Sequence, residues 1–175
     1  MQKKYPALLL PASLCLLLLT GCYDVAQEVI RADDAVEIPN LPGHYTYDDG
    51  STQLTIAAVP ASRDYRFQRH WGGNPGKTQS GYLRAIHLKD DLYAIQVKYD
   101  DSVLYQILFY RFLPYEKQFI PMRVADQSRP AMDKLAGRYS VRIEFDYTEE
   151  LKGRREDLLA FLRAHRELDF SPMNP

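Results

Sequence analysis

The sequence predicts a mainly β protein: an antiparallel meander of about eight short strands, forming a curved sheet or a small barrel, with one amphipathic helix at the C-terminus. Three observations support this prediction. Apolar and polar residues alternate from about residue 43 onward, turn-forming residues separate these runs at hairpin spacing, and apolar residues near the end recur at helical spacing. With 175 residues, 46% of them hydrophobic, the chain suffices for one core of ordinary size.

The charges and the cysteines argue against two classes of protein. The chain carries 22 Lys and Arg against 23 Asp and Glu, a formal net charge of -1. Such a balance is not that of a strongly basic nucleic-acid binder, so no nucleic-acid partner is predicted. The 2 Cys, Cys15 and Cys22, both lie among the first 22 residues, so no disulfide framework can hold the rest of the chain.

The N-terminus has the layout of a secretory signal peptide. Lys3 and Lys4 precede residues 8–19, a run that contains no charge and is mostly Leu. A membrane-spanning helix needs about 20 apolar residues. This run is shorter and is interrupted by Pro11, which favours a signal peptide over a span.

The end of this leader resembles the lipobox of bacterial lipoproteins in Leu19, Thr20, Gly21 and Cys22. The resemblance implies a diacylglyceryl group on the Cys22 thiol, cleavage directly before Cys22, and acylation of the new amino terminus. Loss of residues 1–21 would leave 20 basic against 23 acidic residues, a net charge of -3. The alternative is an ordinary secretory signal with a coincidental cysteine.

The resemblance also implies an address. Acyl chains on Cys22 would hold the protein on a membrane without any spanning segment. In enterobacterial lipoproteins an Asp directly after the lipidated Cys favours the inner membrane, whereas here Tyr23 follows and Asp24 comes next. We therefore expect the outer membrane, with the protein facing the periplasm, rather than the inner membrane. A lipidated Cys22 would leave no thiol for catalysis or for a cysteine metal site.

We expect residues 22–40 to form a lipidated tether with at most one short helix, and residues 41–175 to form a single β-rich domain. The predicted strands are 44–47, 53–59, 63–70, 82–88, 92–99, 103–113, 118–124 and 138–147. Residues 103–113 are apolar on both faces, which favours the centre of the sheet. Residues 138–147 alternate without a break, so one side should be core and the other solvent.

The C-terminal helix is predicted from one stripe of residues and two acidic side chains in its first turn. Glu156 and Asp157 suit the helix start, and the stripe consists of Leu158, Phe161, Leu162 and His165. We interpret this stripe as core that covers an apolar face of the sheet, in preference to a free partner-binding face.

Residues 71–78 come within one residue of the phosphate-binding P-loop pattern, with Trp71 in place of the first Gly. A strand rather than a helix follows, so we predict a hairpin loop instead of a nucleotide site. Trp71, the only Trp in the chain, and Lys77 are candidate contact residues on this loop. The alternative is that Trp71 packs back over the sheet.

No catalytic, metal-binding or cofactor-binding residues are predicted. Four Asp pairs occur, but each lies in or beside a predicted turn, where Asp favours local backbone bonds. The four His have no metal-ligand spacing, and no G-x-S-x-G elbow is present.

Three functions follow as hypotheses. The first is a non-enzymatic envelope module that binds another envelope protein or the cell wall. The second is a binder of a small apolar ligand, because up-and-down strands followed by a helix resemble a lipocalin in architecture, with Gly43, His44 and Tyr45 standing loosely for that family's Gly-x-Trp. The third is a hydrolase, which requires a His and an acid in one cleft. A closed barrel with an apolar cavity would favour the second hypothesis, and an open sheet plugged by the helix would favour the first.

Overall fold

The computed structural model describes residues 22–47, 50–71, 77–145 and 148–173. These residues form eleven strands and two α-helices, with short 3-10 turns at Asp126–Ser128 and His165–Glu167. The elements are β1 (Cys22–Val25), β2 (Gly43–Tyr47), β3 (Thr52–Ala58), β4 (Tyr65–Trp71), β5 (Thr78–Lys89), β6 (Leu92–Tyr99), β7 (Tyr105–Leu113), β8 (Gln118–Val124), α1 (Arg129–Arg138), β9 (Arg142–Phe145), β10 (Glu149–Lys152), α2 (Arg155–Ala164) and β11 (Phe170–Pro172).

The described strands belong to one mixed sheet with β7 at its centre. Strands β2 to β8 form an antiparallel meander in which each strand bonds to the next. The second edge of β7 is shared, because β8 pairs with residues 109–113 and β1 pairs with residues 105–108. Beyond β1 lie β10, which runs parallel to it, and then β9, whereas β11 adds to β8. The central place predicted for residues 103–113 is therefore confirmed.

Two separate hydrophobic clusters cover the two faces of the sheet. On one face, α1, α2 and the first residues of the described chain pack against side chains such as Ile107 and Phe109 of β7. On the opposite face, the meander curls so that side chains of its own strands meet, among them Phe67, Val97 and Phe112. The sequence thus supplies apolar side chains to both faces of β7, as the strand alternation predicts.

The segment at residues 22–40 differs from the tether expected from the sequence. β1 lies in the sheet between β7 and β10. Val25, Val29 and Ile30 have no exposed surface, and all three belong to the cluster under α2. Four residues of β1 are too few to show an alternating pattern, so the sequence carries no clear sign of this strand.

Two polar side chains fix this segment on the sheet. Gln96 is 4% exposed, and its Oε1 accepts hydrogen bonds from the backbone N–H of Val29 at 2.7 Å and of Ile30 at 2.9 Å. Arg84 donates to the carbonyl of Ile30 at 3.3 Å and from Nη2 to Asp64 Oδ2 at 3.0 Å. The hydrogen bond from Arg84 lowers the pKa of the Asp64 carboxyl. Buried backbone donors are costly when unsatisfied, so Gln96 contributes to holding residues 29 and 30 in place.

The mainly β class is confirmed, whereas the count of about eight strands is wrong. The eight predicted runs correspond to β2 to β9, and the additional strands β1, β10 and β11 are three or four residues long. The small-barrel alternative is also wrong, since β2 and β9 are the ends of the bonded strand order among the described strands. Sheet curvature does not require closure, and here it brings distant strands into side-chain contact instead.

The strand predicted at residues 138–147 is wrong at its start. Helix α1 continues to Arg138, and β9 contains only Arg142–Phe145. Val141 and Ile143 pack against the cluster under α2, whereas Phe145 is 75% exposed. The alternating pattern therefore reports a core face at Val141 and Ile143 but not at Phe145, and residues 146–147 of the predicted strand lie outside the described residues.

Helix α1 was not predicted, and the single C-terminal helix is corrected to two helices. The sequence does contain signs of α1. Pro130 lies near its first position, and the buried residues Met132, Leu135 and Ala136 recur at helical spacing. The core role predicted for the stripe in α2 is confirmed, because Leu158, Phe161 and Leu162 are buried under the sheet.

The close packing around Gly81 of β5 leads to a testable prediction about its substitution. Gly81 lies between Phe67 of β4 and Tyr99 of β6, whose rings meet edge to face with centroids 5.6 Å apart. An added Cβ would strike the backbone carbonyl of Lys98 and come within 2.9 Å of the Phe67 ring. We expect Gly81→Ala to lower the free energy of unfolding by about 1–3 kcal/mol, measured from the urea midpoint.

Gly137→Ala is the matched control, because a Cβ at this position of α1 meets no described atom within 4 Å. It should leave stability unchanged or raise it by about 0.5–1 kcal/mol, through the helix preference of Ala over Gly. Equal destabilisation by the two substitutions would contradict the close strand approach at Gly81.

Candidate functional site

The lipobox residues Leu19, Thr20 and Gly21 lie outside the described residues, so the structure does not test the leader. Cys22 is the first residue of β1, and its backbone stands opposite Leu108 of β7. No linker separates the predicted lipidation site from the sheet, because the next residue, Tyr23, is already buried in the cluster under α2.

The candidate contact residues Trp71 and Lys77 lie together at one end of the sheet, and the loop between them, residues 72–76, is outside the described part of the chain. Trp71 is the last residue of β4, and its backbone N–H donates to the carbonyl of Lys77 at 3.3 Å. Lys77 Nζ is 5.3 Å from the centroid of the Trp71 ring, and the guanidinium of Arg69 lies over the same ring at 4.7 Å. Two cations thus lie on one aromatic ring.

The curled meander encloses an apolar groove on the face opposite the helices. β2 and β8 are not hydrogen-bonded to each other in the described sheet, yet the rings of Tyr45 and Phe119 meet with centroids 5.0 Å apart. This contact brings the first and last strands of the meander together at one end. Beside this contact, the strands β3 to β8 leave a cavity of about 380 Å³.

The walls of this groove come from six consecutive strands, β3 to β8. Its lining residues are Leu54, Ile56, Phe67, Arg69, Leu83, Ile95, Val97, Tyr99, Leu108, Tyr110, Phe119 and Pro121. Aliphatic and aromatic side chains dominate, as in sites for small apolar ligands. The sequence placed all of these residues on strands, but did not show that they surround a cavity.

Arg69 is the one charged residue among the groove-lining residues. It lies on β4 opposite Leu54 of β3, another lining residue, and two positions after Phe67. Among the described residues, Arg69 makes no ion pair, and its recorded partner is the ring of Trp71. Sequence reasoning missed Arg69. The signal was its strand parity, because Tyr65, Phe67, Arg69 and Trp71 alternate onto one face of β4.

A second cluster of polar groups lies on the other face, between β1 and α2. His165 has no exposed surface, and its Nδ1 donates to the carbonyl of Phe161 at 2.9 Å. Because a carbonyl can only accept, Nδ1 carries the proton and Nε2 is left as an acceptor, 3.2 Å from the hydroxyl of Tyr23. The same hydroxyl lies 2.9 Å from Met132 Sδ.

Burial perturbs both ionisable groups of this cluster. Desolvation lowers the pKa of His165 to about 4 and raises the pKa of Tyr23 well above its ordinary value. Phe109 stacks on the His165 ring with centroids 5.0 Å apart. Both side chains are sealed from solvent, so a substrate has no access to them and they serve the packing of α2 on the sheet.

The remaining candidates for chemistry are dispersed. Hydrogen bonds link His44 to Thr55, His70 to Thr78 and His87 to the carbonyl of Asp90, so no recorded bond in the described chain joins a His to a carboxylate. No group of three or more potential metal ligands occurs among the residues that were placed. The described Asp pairs lie in turns, as expected, and Asp34 also bonds to Arg155.

Comparison with protein-family models, with curated proteins and with solved structures finds no match for this chain. Within the described ranges, no helix has both the length and the apolar character needed to cross a membrane.

The buried state of His165 predicts a pH dependence of stability. The unfolded chain binds a proton at this imidazole near its ordinary pKa of 6.5, whereas the folded protein does so near 4. The contribution of His165 to the free energy of unfolding is therefore fully present above about pH 6.5. It falls by about 3 kcal/mol as the pH drops to 4. Urea unfolding at several pH values should show a weaker pH dependence in His165→Gln.

His70→Gln is the control for this measurement, because it removes an exposed His from β4. It should keep the pH dependence of the parent protein. Identical pH dependence in His165→Gln and the parent would contradict the burial of a neutral imidazole.

Proposed function

We propose that this chain is a lipid-anchored, non-enzymatic protein of the bacterial envelope, held on the periplasmic side of the outer membrane, whose curled sheet binds a small apolar ligand. The observation that carries the proposal is the apolar groove of about 380 Å³ between β3 and β8. A volume in this range is typical of small-molecule sites.

The groove opens to solvent, and its apolar lining rather than its volume distinguishes it from other hollows on the described surface, whose lining includes several charged residues. Val97 and Leu83 on its wall are 6% and 8% exposed, so the wall is built like a core. Covering such apolar surface with a ligand is favourable by about 25 cal/mol per Å².

The sheet is open, as the first hypothesis from the sequence requires, but α2 covers the opposite face and does not plug the groove. The concave groove therefore favours a small ligand over a protein or cell-wall partner. Its lining side chains come from strands as far apart in the sheet as β3 and β7, for example Leu54 and Leu108. A macromolecular partner would need a segment narrow enough to enter between them. The aliphatic chain or ring of a small apolar ligand is itself narrow enough to enter the groove.

The anchor is supported by the four residues Leu19, Thr20, Gly21 and Cys22 and by the apolar leader before them. Cys22 is the first residue of β1, so after cleavage directly before it the acyl chains would be attached at the start of this strand. The outer membrane is proposed from Tyr23 in the position after the cysteine.

Ligand binding can be tested with decanol, a neutral ten-carbon alcohol, on the chain from residue 22 onward, in which all described elements lie. We expect saturable binding by calorimetry and a concurrent change in the fluorescence of Trp71, the only Trp. Val97→Phe puts a larger side chain into the groove and should weaken decanol binding about tenfold or more.

The matched control is Val103→Phe, which makes the same change at a residue 86% exposed on the turn between β6 and β7. It should bind decanol as the parent does. Absence of decanol binding to the folded parent chain would refute the ligand function.

The anchor has its own test, labelling of the full chain with radioactive palmitate in an enterobacterial host. We expect Cys22→Ser to abolish label incorporation, because the acylated thiol is lost. Cys15→Ser is the control, since this residue belongs to the leader, and should incorporate label normally. Labelling that survives Cys22→Ser would contradict acylation at this residue.

A further inference from the structure

We propose that the ligand of the groove is a single-chain fatty acid, whose carboxylate is held by Arg69 at the end of the groove marked by Trp71 and Lys77. This inference rests on the proposed ligand function and adds the class and the orientation of the ligand. It follows from the position, the surroundings and the charge of one residue.

The first step is the position of Arg69. On β4, Tyr65 and Phe67 point into the cluster inside the curl, and Arg69 continues the same face and lines the groove. Arg69 is half-buried, so solvent reaches its guanidinium at the groove, where an anionic ligand group can replace that solvent. A charged group on an apolar wall is therefore a feature that a wholly apolar ligand would not explain.

The second step is the contrast with neighbouring arginines. Arg66, on the opposite face of β4, pairs with Asp100 at 3.0 Å, and Arg84 of β5 pairs with Asp64. No ion pair joins Arg69 to a carboxylate in the described part of the chain, and its guanidinium lies over the Trp71 ring. Its guanidinium is thus available to an anion in the groove. A carboxylate suits it, because the two oxygens accept two parallel hydrogen bonds from the guanidinium.

The third step is the charge around this end of the groove. Lys77 Nζ lies on the same aromatic ring as Arg69, so two positive charges stand where β4 ends. The other lining residues carry no charge. One end of the site is therefore cationic while its body is apolar, which complements an amphiphile with an anionic head and an aliphatic tail.

The fourth step is size. A cavity of about 380 Å³ lies near the lower limit of the 300–1,000 Å³ range of small-molecule sites. We infer one aliphatic chain rather than the two chains of a diacyl lipid. A free fatty acid has this form and presents the planar carboxylate that suits a guanidinium.

The test compares decanoate, decanol and decyl phosphate by calorimetry on the chain from residue 22 onward. We expect the parent to bind decanoate at least tenfold more tightly than decanol, because a hydrogen bond between two charged groups is roughly twice as strong as one between neutral groups. Arg69→Gln should weaken decanoate binding about 10- to 100-fold and leave decanol binding unchanged. Arg69→Lys should restore part of the preference, since charge returns without the planar fork.

Arg66→Gln is the matched control, on the same strand but on the opposite face, and should not alter either affinity. Equal affinities of the parent for decanoate and decanol would overturn the fatty-acid inference while leaving the apolar-ligand function intact. The same holds if Arg69→Gln binds decanoate as the parent does, or if decyl phosphate binds more tightly than decanoate. Failure of decanol to bind the folded parent chain would instead refute the proposed function.

Discussion

The central strands of this protein are apolar on both faces, so each face of the sheet must be covered by other parts of the chain. On β7, Ile107 and Phe109 point to one side while Leu108 and Phe112 point to the other. Because the strand alternates strictly, neither set can be turned away from its face without moving the other to the wrong side. Two independent covers are required.

The two covers are of different kinds. One face is closed by added elements: α1, α2 and residues 22–35, locked by Gln96 and by the packing of His165. On the other face no helix packs among the described residues; Ile38 and Leu41 cover part of it, and the meander strands meet through side-chain contacts such as that of Tyr45 with Phe119. A twisted sheet curls readily but does not bring every pair of facing strands to contact distance. The groove is the space that this curl leaves.

The sequence predicts the faces of the strands better than it predicts their arrangement. Alternation of Tyr93, Ile95 and Val97 identifies β6 and its inward side, because the period of two is a local property. The curling of the meander, the groove that it forms and the order of the strands in the sheet depend on contacts between residues far apart in the chain. These contacts leave no local pattern in the sequence. β10 escaped prediction since its residues are mostly charged, and its neighbour β1 is equally short. Arg69 was overlooked because its charge suggested solvent, although its parity with Phe67 indicated the inward face.

The direct passage from Cys22 into β1 has a mechanical consequence. A lipoprotein with a long linker can move away from its bilayer, whereas an acylated Cys22 would attach the lipid to the first residue of a strand within the sheet. Cys22 pairs with Leu108, and neighbouring strands are about 4.8 Å apart. An anchor at this point would therefore hold a wall of the groove against the lipid headgroups. Chains leaving the bilayer could then enter the protein without crossing open water.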